Sequence, residues 1–367
     1  MDKKEIIKKL GAMRSSDPCF GGGKIVSSVS TEPLDVALDA WRLYSDVNAL
    51  DTYLFSSAQK LEKEVMEWLA GMLHGSHAAG YITTGGTESN IAALYAAKKM
   101  YPGKREVIVP DSVHYSVLKA ADLMGLKVKK TGLDKNFRAD VGDIEKALSK
   151  DTLAVVATAG TASLGMVDPV EEINGLCGDV FFHVDAAFGG FILPFIVGRV
   201  TDFRLDNLDS LTIDPHKMGC APIPAGALLF RDASYLKELT VQPAYIPITS
   251  YTLSGSRSAG AVAAVWATIR CLGLEGYEKN ARECLRNTSL LCRELKKVSG
   301  AGIVTEPDVN IVGVRLPDIE KTASELRKRG WGIAVNKELS CIRFAVMPHV
   351  TREVVLGFIG ELKEVLN

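Results

Sequence analysis

The sequence has no excess of charge of either sign, because 43 Lys and Arg residues are balanced by 44 Asp and Glu residues. Proteins that bind along nucleic acids neutralise phosphates with a surplus of basic residues. Long apolar runs are also lacking, and the longest, at residues 259–269, is shorter than the roughly 20 residues that span a bilayer. We therefore expect no nucleic-acid partner and no association with a membrane.

Cysteines are few, scattered and odd in number, with seven in the chain and no Cys-x-x-Cys pair. This pattern argues against a disulfide framework or a zinc site and indicates reduced thiols. His74 and His77 have half the spacing of a metal site, but no matching cluster completes it, so we predict no metal. Because residues 1–5 lack the apolar core of a signal peptide, we expect a soluble, cytoplasmic protein.

What the sequence does contain is an ordinary globular composition, with 47% hydrophobic and 24% charged residues among 367. This length is large for one domain. We predict an N-terminal helix and arm over residues 1–50, a large domain over residues 51–275, and a small C-terminal domain over residues 276–367.

Apolar segments of strand length alternate with helical patterns from residue 80 onward. The predicted strands are residues 107–109, 126–128, 153–157, 180–184, 211–213 and 227–230, and helical stretches such as 90–100 and 112–124 separate most of them. This alternation predicts an α/β fold with a mainly parallel sheet covered on both faces. Two helical segments follow between residues 259 and 298, and from about residue 300 a strand, a helix, two short strands and a helix predict an α+β unit.

Two polar residues come directly after apolar strands. Lys217, in Asp214-Pro215-His216-Lys217, precedes a turn of small residues, and Asp185 ends a second strand at the sheet edge where α/β folds place their sites. A lysine that forms a Schiff base and an acid that holds a pyridinium nitrogen are the groups that pyridoxal 5′-phosphate (PLP) most needs. The pair predicts PLP as the cofactor. A solvated lysine and a surface aspartate that caps the next turn are the alternatives.

Glycines precede the helical pattern at residue 90, in Thr84-Gly85-Gly86-Thr87. Glycine lets the backbone approach a ligand closely, and the free amides and positive dipole end of a helix favour an anion. The segment therefore suits a phosphate. The alternative is a helix capped by Thr84 or Thr87, with the glycines forming only a turn.

Five segments, taken in order, resemble the group II PLP-dependent amino acid decarboxylases. They are residues 84–90, His114-Tyr115-Ser116, Gly160-Thr161, the strand of Asp185, and residues 214–217. The similarity runs from about Ser27 to the C-terminus and is nearest to the short archaeal L-tyrosine/L-aspartate decarboxylases. It implies the fold type I architecture of PLP-dependent transferases, with a smaller C-terminal α+β domain. It also implies a homodimer, because fold type I sites usually form at a dimer interface.

The resemblance implies a role for each site residue. Gly86 and Thr87 hold the cofactor phosphate, and Asp185 pairs with the ring nitrogen. Lys217 forms the covalent link. The other cofactor contacts are Ala187 under the ring, His114 on the ring face opposite the lysine, where it helps to orient the substrate carboxylate, and His216 beside the phosphate or another active-site group. In isolation, His114 and His216 could equally be structural histidines.

Two departures from the family pattern affect the predicted site. Ala162 stands where a second hydroxyl residue is usual, so the hydrogen bond near the cofactor 3-hydroxyl comes from Thr161, from Ser163 or from neither. A long mobile loop is reduced to about residues 245–251. In the family this loop carries a tyrosine associated with protonation of the product carbanion, so the resemblance implies Tyr251, or else Tyr245, as the proton donor.

Arg343, on a predicted strand of the small domain, is the candidate for binding the substrate carboxylate. An arginine offers a planar fork that matches a carboxylate, and fold type I enzymes often use an arginine of the small domain in this way. An internal salt bridge is the alternative interpretation. Arg257 also lies in a segment that resembles the family, and we expect its role to be structural.

The resemblance predicts α-decarboxylation of an L-amino acid. L-tyrosine is placed first, giving tyramine for methanofuran biosynthesis, and L-aspartate second, giving β-alanine for coenzyme A biosynthesis. A PLP-dependent C–S or C–C lyase is a further alternative, but a desulfurase needs a mobile cysteine, and Cys220 lies in a packed setting. A non-catalytic scaffold is the rival of another class, and the set of Lys217, Asp185 and His114 argues against it.

Overall fold

The computed structural model describes residues 1–366, which form two compact units. The first, called here the terminal unit, contains Met1–Glu32, Glu283–Glu306 and the chain from Asn310 to the end of the described residues. The second, called the central unit, contains Pro33–Arg282 and Pro307–Val309. The predicted division kept residues 1–50 apart and began the small domain at residue 276. The structure groups the first 32 residues with the C-terminal part.

Helices and strands alternate through most of the chain. In order they are α1 (Lys3–Arg14), α2 (Asp35–Leu43), α3 (Ser56–Met72), β1 (Ala79–Thr83), α4 (Gly86–Met100), β2 (Glu106–Pro110), α5 (Tyr115–Leu123), β3 (Lys127–Thr131), α6 (Val141–Ala147), β4 (Thr152–Thr158), α7 (Val170–Leu176), β5 (Phe181–Asp185), β6 (Ser210–Ile213), β7 (Gly226–Phe230), α8 (Ser234–Glu238), α9 (Ala259–Leu295), β8 (Gly302–Ile303), β9 (Ile311–Arg315), α10 (Ile319–Lys328), β10 (Ala334–Asn336), β11 (Cys341–Ala345) and α11 (Arg352–Leu366). Gly273, with φ 58°, interrupts α9, as the two predicted helical segments require. Within residues 1–366, helices long and apolar enough to cross a membrane are absent.

The central unit is built around a seven-stranded sheet in the order β1-β7-β6-β5-β4-β2-β3. Strand β7 is antiparallel to both of its neighbours, and the pairs from β6 to β3 are parallel. The predicted mainly parallel α/β sheet and all six predicted strands are confirmed. The sequence analysis did not predict β1, because its Ala79 and Gly80 have low strand propensity.

Parallel pairing brings the carboxyl ends of three strands to one sheet edge. In the strand register, Thr158 of β4 pairs with Asp185 of β5, and Asp185 pairs with Thr212 of β6. Helix α4 packs on the strands through small buried residues, Ala92, Ala93, Ala96 and Ala97. The first turns of α4, before these alanines, carry buried polar residues instead, namely Glu88, Ser89 and Asn90. This sheet edge is therefore where the fold collects polar side chains.

The terminal unit has its own four-stranded antiparallel sheet, in the order β10-β11-β9-β8. The start of the chain belongs to it because Val26 is fully buried in the same apolar cluster as Phe344 and Phe358. Backbone hydrogen bonds tie this segment down, since Val26 O accepts from Ala345 N at 2.6 Å. The residues predicted to form a separate arm thus complete the core of this unit.

Candidate active site

Asp185 is a buried carboxylate at the end of β5, with 5% of its surface exposed. Its Oδ1 accepts a hydrogen bond from Ala187 N at 3.1 Å, and its Oδ2 accepts one from Asn90 Nδ2 at 2.8 Å. Burial of a charge is costly unless it is hydrogen-bonded. The side chain does cap the next turn, as the alternative interpretation proposed, but it is not a surface residue.

Lys217 lies in the turn after β6, where its Nζ is 3.0 Å from Asp214 Oδ2. The lysine side chain is 19% exposed and the aspartate side chain 1%, so this is a largely desolvated ion pair. Asp214 Oδ1 is buried and has no hydrogen-bond partner among residues 1–366. Lys217 is thus held by a buried acid, unlike the solvated lysine of the alternative interpretation.

The N-terminus of α4 lies against these residues. Gly85, with φ 148°, is the residue before the helix, in a backbone conformation that favours glycine. A Cβ on Gly86 would lie 3.1 Å from both Ala187 Cβ and Asp214 Oδ2. Thr84 does not cap the helix, because its N and Oγ1 both donate to Glu88 Oε2, at 2.8 and 2.7 Å. Gly85 has no side chain that could cap the helix, so among residues 1–366 no capping side chain takes up the first amides of α4, and they can bind an anion.

His114 precedes α5 and caps it, because its Nδ1 accepts from Ser116 N. The imidazole Nδ1 is also 2.8 Å from Ser116 Oγ. Burial lowers the pKa of His114, while the charge of Asp185 raises it and that of Lys217 lowers it. The net direction is down from the ordinary value of 6.5, so the site favours the neutral imidazole.

His216 and Thr161 both use their side chains in local hydrogen bonds. His216 Nδ1 donates to Ala225 O at 2.6 Å, and its Nε2 lies 3.8 Å from Asp214 Oδ2. Thr161 Oγ1 accepts from Met166 N at 3.0 Å and so braces its own turn. His216 is therefore brought to the buried acid beside Lys217, while it also makes the backbone contact of its alternative interpretation.

The structure also places the four remaining predicted residues, which are two tyrosines and two arginines. The ring of Tyr251 packs on Tyr81, with centroids 6.0 Å apart, and burial raises the pKa of Tyr251. The side chain of Tyr245 is 85% exposed. Arg343 lies in the terminal unit, where its Nη2 donates to Ser27 O at 2.5 Å. Arg257 makes the predicted structural contacts, as its Nη1 and Nη2 bind the Glu62 carboxylate at 2.5 and 3.0 Å.

Residues 47–317, well over half of the chain, match the family described as the pyridoxal-dependent decarboxylase conserved domain. The chain belongs to this decarboxylase family. It is therefore a PLP-dependent amino acid decarboxylase, as the resemblance implied.

Two curated relatives of this decarboxylase align with the whole chain. An L-aspartate/L-glutamate decarboxylase of Pyrococcus horikoshii is 39% identical over 378 residues, covering 100% of this chain and 98% of the relative. A probable L-tyrosine/L-aspartate decarboxylase of Methanosarcina mazei is 36% identical over 389 residues, covering 100% of this chain and 97% of the relative. The solved sphingosine-1-phosphate lyase of Burkholderia pseudomallei is 26% identical, with a TM-score of 0.92 and coverage of 100% and 91%. The predicted fold type I architecture is confirmed.

The candidate site fits PLP by the chemistry of its donor set. Each Asp185 oxygen accepts one hydrogen bond and keeps acceptor capacity for a ring N–H. Helix α4 presents free amides suited to a phosphate. Asp214 Oδ1, buried and without a partner among the described residues, is a polar atom that a bound ligand can satisfy.

Sequence reasoning missed three polar residues of the candidate site. Asp214 binds Lys217, and Asn90 and Ser116 connect Asp185 to His114. All three stand within motifs that the sequence analysis singled out. For Asn90 and Ser116 the signal that could have found them is a polar residue at a helical position predicted to face the sheet, and for Asp214 it is an acid directly after an apolar strand.

Proposed function

We propose that this decarboxylase acts on L-aspartate, releasing its α-carboxylate as CO2 and giving β-alanine. L-aspartate occurs in the names of both relatives, and one of them is 39% identical over the whole chain. L-tyrosine, which the sequence analysis placed first, occurs in one of the two names and is the second candidate. β-Alanine would serve coenzyme A biosynthesis, and tyramine would serve methanofuran biosynthesis.

In this proposal the buried groups divide the work between them. PLP, when bound, would supply an electron sink for the pair left at Cα on loss of the carboxylate. Asp185 would hold the protonated ring nitrogen of that cofactor and stabilise its charge. The amides of Gly86 and Thr87 bind the phosphate, and Ala187 leaves room for the ring beside Gly86. Lys217 provides the amine that carries the cofactor.

Two neighbours of Lys217 and Asp185 orient the reacting groups. Asp214 Oδ2 holds the Lys217 amine at 3.0 Å, so the amine cannot swing freely into solvent. His114, whose pKa burial lowers, would lie beside the ring and offer a hydrogen bond to the substrate carboxylate. Thr161 and His216 remain predicted cofactor contacts, Tyr251 the predicted proton donor, and Arg343 the predicted carboxylate anchor.

A desulfurase reaction is the weaker alternative for a physical reason. Cys220 is buried beyond Lys217, and burial raises the pKa of its thiol to about 12. The nucleophile of such a reaction is the thiolate, which is scarce at neutral pH when the pKa is this high. A C–C lyase keeps one point in its favour, the similarity to the solved sphingosine-1-phosphate lyase.

We expect PLP-loaded protein to convert L-aspartate to β-alanine faster than it converts L-tyrosine to tyramine or L-glutamate to γ-aminobutyrate. The three substrates are supplied separately at equal concentration, and the products are quantified by mass spectrometry with denatured enzyme as the control. Tyramine as the main product would show that L-tyrosine, and not L-aspartate, is the preferred substrate. Absence of any amine, with absorbance of bound PLP still responding to an amino acid, would favour the lyase alternative.

We also propose that the decarboxylase is a homodimer. Helix α1 has no buried residue, and its apolar side chains Ile6, Ile7, Leu10 and Met13 are 43%, 60%, 55% and 71% exposed. Apolar residues at this spacing form a stripe that a second chain can cover. Light scattering should give twice the 39.6 kDa mass of one chain, and a monomer of full activity would contradict the proposal.

A further inference from the structure

Asn90 is completely buried near the start of α4, and its amide makes four hydrogen bonds. Nδ2 donates to Asp185 Oδ2 and to Ser116 Oγ, both at 2.8 Å. Oδ1 accepts from Thr212 Oγ1 at 2.8 Å and from His183 Nε2 at 2.9 Å. An amide has two donors and two acceptor lone pairs, so its hydrogen-bonding capacity is filled.

These partners allow one orientation of the Asn90 amide. Reversing it would point Oδ1 at the Asp185 carboxylate, which has only acceptors when ionised. The neighbours are fixed in turn, since His183 Nε2 must carry a proton and its Nδ1 accepts from Ser210 Oγ at 2.8 Å. Burial lowers the pKa of His183 to about 4, which agrees with a neutral ring.

Ser116 extends this logic to His114. Ser116 Oγ already accepts from Asn90, and among the described residues its other hydrogen-bond neighbour is His114 Nδ1 at 2.8 Å. The hydroxyl proton therefore points to Nδ1. Ser116 N points to the same atom at 3.4 Å. With two donors directed at it, Nδ1 carries no proton, and the neutral imidazole has its proton on Nε2.

We propose that Asn90 and Ser116 are positioning residues of this decarboxylase: Asn90 fixes the Asp185 carboxylate, and Ser116 holds His114 as the tautomer protonated on Nε2. This assignment rests on the proposed roles of Asp185 and His114. It gives the histidine a hydrogen-bond donor that suits a substrate carboxylate. It also makes Asp185 and His114 parts of one hydrogen-bond network, because the Asn90 amide binds Asp185 directly and His114 through Ser116.

The tautomer can be read in the protein without PLP or substrate, by nitrogen NMR of histidine-labelled chain. The chain has six histidines, and the His114 signals are those lost in His114→Gln. At pH 7.5 we expect His114 to show an unprotonated Nδ1 and a protonated Nε2. Ser116→Ala should shift the population toward the other tautomer, because the hydroxyl donor is removed.

Thr212→Val is the matched control for this measurement. Like Ser116, Thr212 is completely buried and binds Asn90 through its hydroxyl, and valine has nearly the size of threonine. The substitution therefore removes one hydroxyl from the network but leaves the contact between Ser116 and His114 in place. Its His114 signals should match those of the wild type. A proton on Nδ1 of His114 in the wild type, or unchanged His114 signals in Ser116→Ala, would overturn the assignment, whichever amino acid proves to be the substrate.

The role of Asn90 has a separate readout in the dissociation constant of PLP. Asn90→Ala removes one of the two hydrogen bonds to Asp185, and loss of a hydrogen bond to a charged group weakens binding about 10- to 100-fold. Ser116→Ala keeps both bonds to Asp185 and should bind PLP within about twofold of the wild type. Folded Asn90→Ala with unchanged PLP affinity would refute this part. If Asn90→Ala does not fold, the Ser116→Ala spectrum still decides the tautomer.

Discussion

Replacing Lys217 with alanine is expected to reduce decarboxylation by about 1,000-fold or more, the scale seen when an enzyme loses its nucleophilic residue. The visible absorbance of protein-bound PLP should change as well, because the amine that carries the cofactor is gone. Product formation by mass spectrometry and an absorbance spectrum test the two effects. Turnover at the wild-type rate would show that Lys217 does not carry the reaction.

The same substitution has a cost in stability that can be separated from its effect on turnover. Asp214 is buried, and removing its cationic partner leaves its charge uncompensated. We expect this to lower the free energy of unfolding by about 3 kcal/mol. The double variant Lys217→Ala/Asp214→Asn removes that charge. We expect urea unfolding to show most of the stability recovered, while decarboxylation stays as low as in the single variant.

Replacing Asp185 with asparagine is expected to lower turnover by about 100- to 1,000-fold, the range found when one charge-stabilising group is removed from an active site. The reason is electrostatic, because asparagine cannot neutralise a protonated ring nitrogen. Turnover number and Michaelis constant, measured at saturating PLP, test this expectation. An Asp185→Asn enzyme within tenfold of the wild type would contradict the proposed role.

Asp168→Asn provides a matched control for that experiment. Asp168 is a second buried carboxylate of the central unit, and it accepts from Ala139 N at 2.9 Å and from Thr158 N at 2.7 Å. Burial raises the pKa of Asp168 to about 6. The substitution thus makes the same chemical change in a similar setting outside the proposed site. We expect its turnover to stay within tenfold of the wild type.

The sheet and its two principal polar residues could be predicted because their signals are local. Each central strand is buried on both faces and therefore appears as a short apolar run. Asp185 and Lys217 come where two such runs stop, and parallel strands end at one edge of the sheet. The positions of Asp185 and Lys217 in the chain were thus enough to predict that both residues lie at the same edge of the sheet.

The rest of the site depends on contacts that no local pattern reports. Asn90 belongs to a helix, and nothing in helical periodicity shows that its amide binds residues from two strands and a second helix. The contact of Tyr251 with Tyr81 depends on how a loop folds back on β1. Val26 was missed for the same reason, because the other buried members of its cluster lie between Leu290 and Leu362, far along the chain.

The position of Val26 has a consequence for the order in which the protein can fold during synthesis. The central strands lie between Ala79 and Phe230, so their sheet can form while the chain is still being made. Val26 leaves the ribosome early, but its cluster includes Leu362. At about 5–20 residues per second, the intervening chain takes on the order of tens of seconds to translate. Until those residues are made, the cluster around Val26 is incomplete, so we expect the core of the terminal unit to close after the central strands have been translated.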